Sequence, residues 1–182
     1  MRLFLHICCA RCAIYPITKL ARDFEITGYY FNPNIHPTTE YLARGEALKN
    51  YIKSNGLKLI IGEYNPRVYF EAVANSKNDR CEVCYILRLT ETAKLSKELG
   101  YDYFTATLLS SPYQKHEKIK EIGDKIAKET GINFYYEDFR VGWRDSQKVA
   151  DELGIYKQKY CGCVFSEYER YEKKVKRFTV SV

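Results

Sequence analysis

Stretches with the pattern of a strand alternate with stretches with the pattern of a helix along the chain, and this alternation restricts the fold more than any other feature. Residues 3–7, 26–31, 57–62, 103–107 and 132–136 are short apolar runs that read as strands. Helical patterns cover 13–24, 38–54, 66–75, 81–99 and 116–130, and two more follow over 146–153 and 166–175. The longest places Tyr85, Ile86, Leu89, Ala93 and Leu99 at helical spacing. Pro66 suits the first position of a helix, and Gly100 and Gly131 suit C-terminal caps. Pro16 is tolerable only near a first turn, so the first helix is expected to begin near residue 13. Strands separated by helices over short connections make an α/β fold with a largely parallel sheet. With 182 residues the chain suits one domain, 1–182, whose core needs no staples.

In such sheets ligands bind outside the carboxyl ends of the strands. Cys8, Cys9 and Cys12 fall at that edge after the first strand, residues 32–37 after the second and 108–114 after the fourth. The seven cysteines, completed by Cys81, Cys84, Cys161 and Cys163, are odd in number and clustered. A fully paired disulfide framework is therefore impossible, and metal binding or redox work is the better reading. In His6-Ile7-Cys8-Cys9-Ala10-Arg11-Cys12 a strand hands over to a helix, whose N-terminal N–H groups and dipole favour thiolates. Cys81-Glu82-Val83-Cys84 lets two sulfurs face one centre and completes a four-thiolate set with the first motif. In Cys161-Gly162-Cys163 the glycine allows a tight turn, giving a metal-binding or redox-cycling pair. Four thiolates hold zinc or a 4Fe-4S cluster. A structural zinc needs only four cysteines, so the surplus of three favours redox chemistry.

The remaining features are less specific. Net charge is +6, which permits a nucleic-acid partner without demanding one. No apolar run approaches the roughly 20 residues of a membrane span, and residues 1–7 do not form a signal peptide; a cytoplasmic location without a membrane partner is expected. His6 beside the cysteines is a candidate proton donor or a core histidine. His36, in Asn32-Pro33-Asn34-Ile35-His36-Pro37, is a candidate substrate contact or a turn residue. His116 reads as an ordinary surface residue. The basic run Arg170, Lys173, Lys174, Lys176 and Arg177 reads as a solvated helix face with phosphate contact as the alternative.

Five segments in order, His6–Cys12, Phe31–Pro37, Arg80–Tyr85 with Arg88, Thr107–Tyr113 and Tyr160–Ser166, resemble the QueH family of epoxyqueuosine reductases over nearly the whole chain. One departure is Arg11, where the family pattern has proline; little consequence is expected because the flanking cysteines are kept. The resemblance implies a three-layer fold like that of the adenine-nucleotide α-hydrolases (the HUP class). It also implies the last step of queuosine synthesis, in which epoxyqueuosine at the wobble position of a tRNA loses its epoxide oxygen. It further implies an iron–sulfur enzyme that works without cobalamin, with an electron donor left unidentified. On this footing Cys8, Cys9, Cys81 and Cys84 hold the 4Fe-4S cluster, while simple spacing makes Cys12 the reserve ligand.

Converting an epoxide to an alkene takes two electrons, and one such cluster normally passes one at a time. Cys12, Cys161 and Cys163 remain. They either bind a second metal, an iron ion whose Lewis acidity draws on the epoxide oxygen, or Cys161 and Cys163 supply electrons by closing to a disulfide. Candidate RNA contacts are Asn32, His36, Tyr113 and Lys115. The rivals are a non-catalytic metal-binding RNA adaptor and a tRNA sulfur-transfer enzyme. The latter carries a glycine-rich phosphate loop after strand one, which Cys8-Cys9-Ala10-Arg11-Cys12 is not.

Overall fold

The computed structural model describes residues 1–179; positions 180–182 of the expected domain lie outside the described residues. Five strands form one parallel sheet: β1 (Arg2–His6), β2 (Glu25–Tyr30), β3 (Lys58–Ile61), β4 (Tyr103–Ala106) and β5 (Asn133–Phe134), in the order β3-β2-β1-β4-β5. β1 is central. Leu3, Phe4, Leu5 and His6 are completely buried, as expected of a strand covered on both faces. The order reverses at β1, so a crevice opens beyond its carboxyl end, beside that of β4.

The connecting helices are α1 (Ala10–Leu20), α2 (Thr38–Ser54), α3 (Pro66–Ala74), α4 (Arg80–Glu98) and α5 (His116–Thr130). Parallel strands are joined by right-handed crossovers. The helices after β1 and β2 therefore share one face, where α1 packs on α2, and those after β3 and β4 share the other, where α4 packs on α5, β1 and β4. α6 (Trp143–Glu152) lies against α1, and α7 (Val164–Thr179) follows the last cysteine. This is the three-layer arrangement expected of the chain. Gly100 and Gly131 close their helices with φ of +71° and +73°.

The main departure from the sequence reading is α1, which begins at Ala10 and puts Pro16 inside the helix. Proline leaves the carbonyl four residues back without its N–H partner. Here that carbonyl belongs to Cys12, and the Ser110 hydroxyl donates to it (3.0 Å). The proline is thus accommodated by a side chain from the turn after β4. β5 is shorter than expected, two residues instead of five, as suits an edge strand.

Candidate active site

The carboxyl end of β1 runs directly into α1, and the N-cap of that helix is Cys9, whose Sγ accepts from the Cys12 N–H (3.4 Å). Three thiols are gathered by one helical turn. The sulfurs of Cys8, Cys9 and Cys12 all lie within 4.8 Å of one another. Cys8 Sγ is 3.9 Å from Cys9 Sγ, and Cys9 Sγ is 2.8 Å from Cys12 Sγ. Thiolates on one tetrahedral ion with bonds of ~2.3 Å stand about 3.8 Å apart; the Cys8–Cys9 pair is at that spacing and the Cys9–Cys12 pair is closer.

The group sheds one proton readily. Hydrogen bonds from Cys12 and Cys9 hold Cys8 well below the ordinary thiol range, with Thr107 and the charge of Arg88 assisting against burial. Cys12 is pushed up by its hydrogen bonds to Cys8 and Cys9 and by burial. At Cys9 the contact with Cys12 lowers the pKa, but the hydrogen bond to Cys8 and burial outweigh it. Ionisation is thus favoured at Cys8 and opposed at Cys9 and Cys12, and a bound cation would favour it at all three.

The second group forms where α4 meets the segment before α7. Asp79 caps α4 by accepting from the Cys81 N–H (2.8 Å). Cys84 packs with Cys163 and Tyr69. Burial pushes Cys84 up to about 12, with the charge of Arg88 opposing and Cys161, Cys163 and Cys81 adding to the rise. Burial and Asp79 push Cys81 up to about 11. Cys163 behaves differently: burial acts to raise it, but Ser166 and Tyr69 donate to its sulfur and bring it below the ordinary value. Its Sγ accepts from the Ser166 N–H (3.4 Å), as an N-cap side chain does. Cys161, in contrast, is exposed.

Gly162 makes this segment possible. Its φ is +152°, and a Cβ there would meet Ile35 Cγ1 at 3.2 Å and Arg44 Nη1 at 3.4 Å. Buried Arg44 receives the segment from α2, donating to the carbonyls of Cys161 (2.8 Å) and Tyr160 (2.9 Å) while paired with Glu40 (2.7 Å). His36 N–H donates to Gly162 O (2.8 Å), and His36 Nδ1 accepts from the Val164 N–H (3.4 Å). An ion pair between Arg80 and Glu169 ties α7 to the start of α4.

All seven cysteines are free and fall into two groups at one edge of the sheet. Cys8 and Cys9 come together with Cys12, and Cys81 and Cys84 with Cys161 and Cys163. The other expected site residues have mixed placements. His6 is completely buried; its Nε2 bonds Phe31 O (2.9 Å) and its Nδ1 has no partner. Burial, then the charge of Arg88, lowers its pKa to about 4. Such a histidine is neutral with its proton on Nε2, so its free nitrogen accepts a hydrogen bond. Asn32 is buried and donates to Ile7 O (2.9 Å), bracing the loop after β2. His36 is also buried and stacks on Phe70 at 4.6 Å. Tyr113 is 84 % exposed and meets Trp143 edge-on. Lys115 pairs with Asp79 (3.0 Å), the cap of α4. His116, expected at the surface, is buried and bonds the Tyr136 hydroxyl (3.0 Å).

Several residues at the site carried no signal in the sequence reading. Gln158 donates to Cys9 Sγ (3.0 Å) and Gln114 to Cys161 Sγ (3.4 Å). Arg11 also proves to be structural. Completely enclosed, it donates to Gln147 Oε1 (2.9 Å), Gln147 O (3.1 Å), Ile155 O (3.1 Å) and Asp151 (2.7 Å). It fixes the first turn of α1 to α6 and to the segment that carries Gln158. The side chain acts as a clamp, because its planar fork fits four acceptors at once.

Comparison with known proteins places this arrangement. The sequence model of the family described as "Epoxyqueuosine reductase QueH" matches residues 3–169. The chain belongs to the QueH family. A QueH protein of Dehalococcoides mccartyi is 40 % identical over 174 residues, covering 94 % of this chain and 96 % of that one. The QueH of Thermotoga maritima is 37 % identical over 179 residues, covering 93 % and 92 %. Both are named epoxyqueuosine reductases, and this QueH chain is accordingly an oxidoreductase. Among solved structures, a protein described as a predicted subunit of tRNA methyltransferase from Methanocaldococcus jannaschii superposes with a TM-score of 0.51. It has 11 % identity, and 82 % of this chain and 76 % of that one are covered; the likeness is one of fold. No helix among the described residues is long and apolar enough to cross a membrane.

Proposed function

We propose that this QueH chain, acting as one unit over 1–182, removes the epoxide oxygen of epoxyqueuosine at the wobble position of tRNA to give queuosine, with a thiolate-bound iron–sulfur centre as its redox group. The observation that carries the reading is the pair of free-thiol groups, Cys8 with Cys9 and Cys12, and Cys81 and Cys84 with Cys161 and Cys163, which both reach a buried arginine, Arg88, through Cys8, Cys84 and Cys161; that arginine pairs with no carboxylate among the described residues. A donor set of thiols facing buried positive charge suits an anionic, thiolate-ligated cluster.

In this reading Cys8, Cys9, Cys81 and Cys84 hold a 4Fe-4S cluster. Cys12 stays the reserve ligand, its sulfur lying 2.8 Å from that of Cys9. When bound, the centre would supply electrons to the reaction. The chain's own residues do the rest. Gln158 and Gln114 donate to sulfurs of Cys9 and Cys161 and hold them in place. Gly162 and Arg44 bring Cys161 and Cys163 to the same edge, where the pair either ligates an iron ion with Cys12 or gives up two electrons as a disulfide. The free Nδ1 of neutral His6 can receive a hydrogen bond within the site; delivery of the proton to the departing oxygen then falls to a more exposed group. Tyr113 presents an open ring for stacking on an unpaired anticodon base.

The test is anaerobic purification with iron and sulfide counting, followed by turnover on epoxyqueuosine-containing tRNA. Cys161→Ser and Cys163→Ser are expected to keep the cluster and lose turnover. More iron than one cluster accounts for selects the second metal; a disulfide after a single turnover selects the dithiol. Wild-type turnover in both variants would overturn the reading of these cysteines.

A further inference from the structure

Three arginines are buried in this chain, each 1–2 % exposed. Two have carboxylate partners, Arg11 with Asp151 and Arg44 with Glu40. Arg88 has none among the described residues. It lies one helical turn beyond Cys84 on α4, its Nε donates to the Cys84 carbonyl (3.2 Å), and its Nη2 has no hydrogen-bond partner. A charge taken out of water is costly unless an opposite charge meets it, and folding alone gives no reason to retain this one.

The surroundings indicate what meets it. α4, which carries Cys84 and the buried Arg88, packs on β1, which ends at His6, two residues before Cys8. The groups that interact with its charge include Cys84, Cys161, Cys8 and Tyr85, together with the neutral ring of His6. Thiols of both cysteine groups are represented, and no carboxylate forms an ion pair with it among the described residues. The orphaned Nη2 of Arg88 and the orphaned Nδ1 of His6 belong to the same buried region.

We propose that Arg88 is a positioning residue, the built-in counter-cation that holds the thiolates of the β1 group and the α4 group on one centre and eases that centre's reduction. The inference rests on the thiolate-bound centre proposed above. Reduction adds one electron from an external low-potential donor, for which dithionite stands in the test, and so adds one negative charge to the centre. A fixed cation nearby favours that more negative form. Without the bound centre, the guanidinium meets only the lowered thiol of Cys8, with no ion pair to a carboxylate among the described residues and its Nη2 unbonded, so the metal-free fold gains little from it.

The experiment compares wild type, Arg88→Gln and Arg88→Lys, each as the full chain. Metal-free proteins are melted; anaerobically reconstituted proteins are assayed for iron and sulfide and titrated with dithionite. The metal-free Gln variant is expected to melt at or above the wild-type temperature, whereas a merely structural arginine would lower it. The loaded Gln variant is expected either to retain less iron and sulfide or to have a midpoint potential more negative than wild type, and the Lys variant is expected to recover most of the difference. A Gln variant with wild-type iron content and midpoint, or one that melts lower when metal-free, overturns the inference while leaving the functional reading intact. A wild-type chain that takes up no iron and sulfide overturns the functional reading instead, and the metal-free melts then decide on their own whether Arg88 is a structural prop.

Discussion

Replacing Arg11 by alanine tests whether the first cysteine motif is held from the far end of the chain. The substitution removes a guanidinium from two backbone carbonyls, Gln147 O and Ile155 O, and from Gln147 Oε1. Leaving an acceptor without its donor costs at least about 1 kcal/mol per group. The ion pair with Asp151 is left out of the sum because that side chain is 55 % exposed and screened by solvent. The three acceptors together come to about 3 kcal/mol, before the lost packing of the aliphatic stem is added. At ~2–4 °C per kcal/mol for a chain of this size, the melting temperature should fall by about 6–12 °C. Calorimetry on the metal-free chain measures it. Arg11→Lys should recover little, since an ammonium cannot fill a planar fork with four acceptors. Gln158 should also lose its hold on Cys9, so alkylation of the Cys9 sulfur by iodoacetamide should speed up in both variants. An alanine variant that melts within about 2 °C of wild type, with unchanged alkylation, would refute the clamp.

Single Cys→Ala changes at Cys8, Cys9, Cys81 and Cys84 should abolish or gravely weaken cluster binding, read as iron and sulfide per chain; full content in Cys8→Ala would remove that ligand assignment. Gly162→Ala should cost about 1–3 kcal/mol of local strain at φ +152°, read as lost turnover with unchanged helical circular dichroism; wild-type turnover would show that the tight segment is dispensable. Burial holds His6 at about 4 in the fold against 6.5 when unfolded, so the unfolded chain takes up the extra proton between those values. Stability should fall as pH drops from about 6.5 towards 4, by about 3 kcal/mol at most from this group. Urea midpoints should therefore fall less with acid in His6→Gln than in wild type, and equal slopes would contradict this. Affinity for tRNA should drop steeply with salt, and Tyr113→Ala should weaken it by about 1–3 kcal/mol if the ring stacks on a base; filter binding over a salt series decides both.

The parallel sheet was legible because each strand is a short apolar run followed by a helical pattern, and that rhythm survives without tertiary information. The position of the cysteines at the carboxyl edge followed from it. Boundaries were legible only where local chemistry marks them. Gly131 closes α5 as expected, but α1 starts three residues early because a cysteine caps it and Ser110, 98 positions away, serves the carbonyl freed by Pro16. The arginines were opaque for the same reason. Nothing local distinguishes Arg11, Arg44 or Arg88 from a surface residue, since their burial is created by segments more than 100 positions away or by the packing of a helix on a strand. Asn32 reads as a substrate contact, and His36 as a substrate contact or a turn residue, because they stand in a polar loop at the right edge; both side chains are buried and bond within the fold.

The clamp from Arg11 to Ile155 and the bond from Gln158 to Cys9 span 144 and 149 positions. A ribosome adding about 5–20 residues per second needs roughly 8–30 s to go from Cys12 to Cys163. Through most of that interval the first three thiols lack Gln158 and the late segment on which Arg11 is anchored. The enclosure of this trio is thus a property of the finished chain, since the bond from Gln158 to Cys9 and the anchor of Arg11 on Ile155 form only once the C-terminal third has been made.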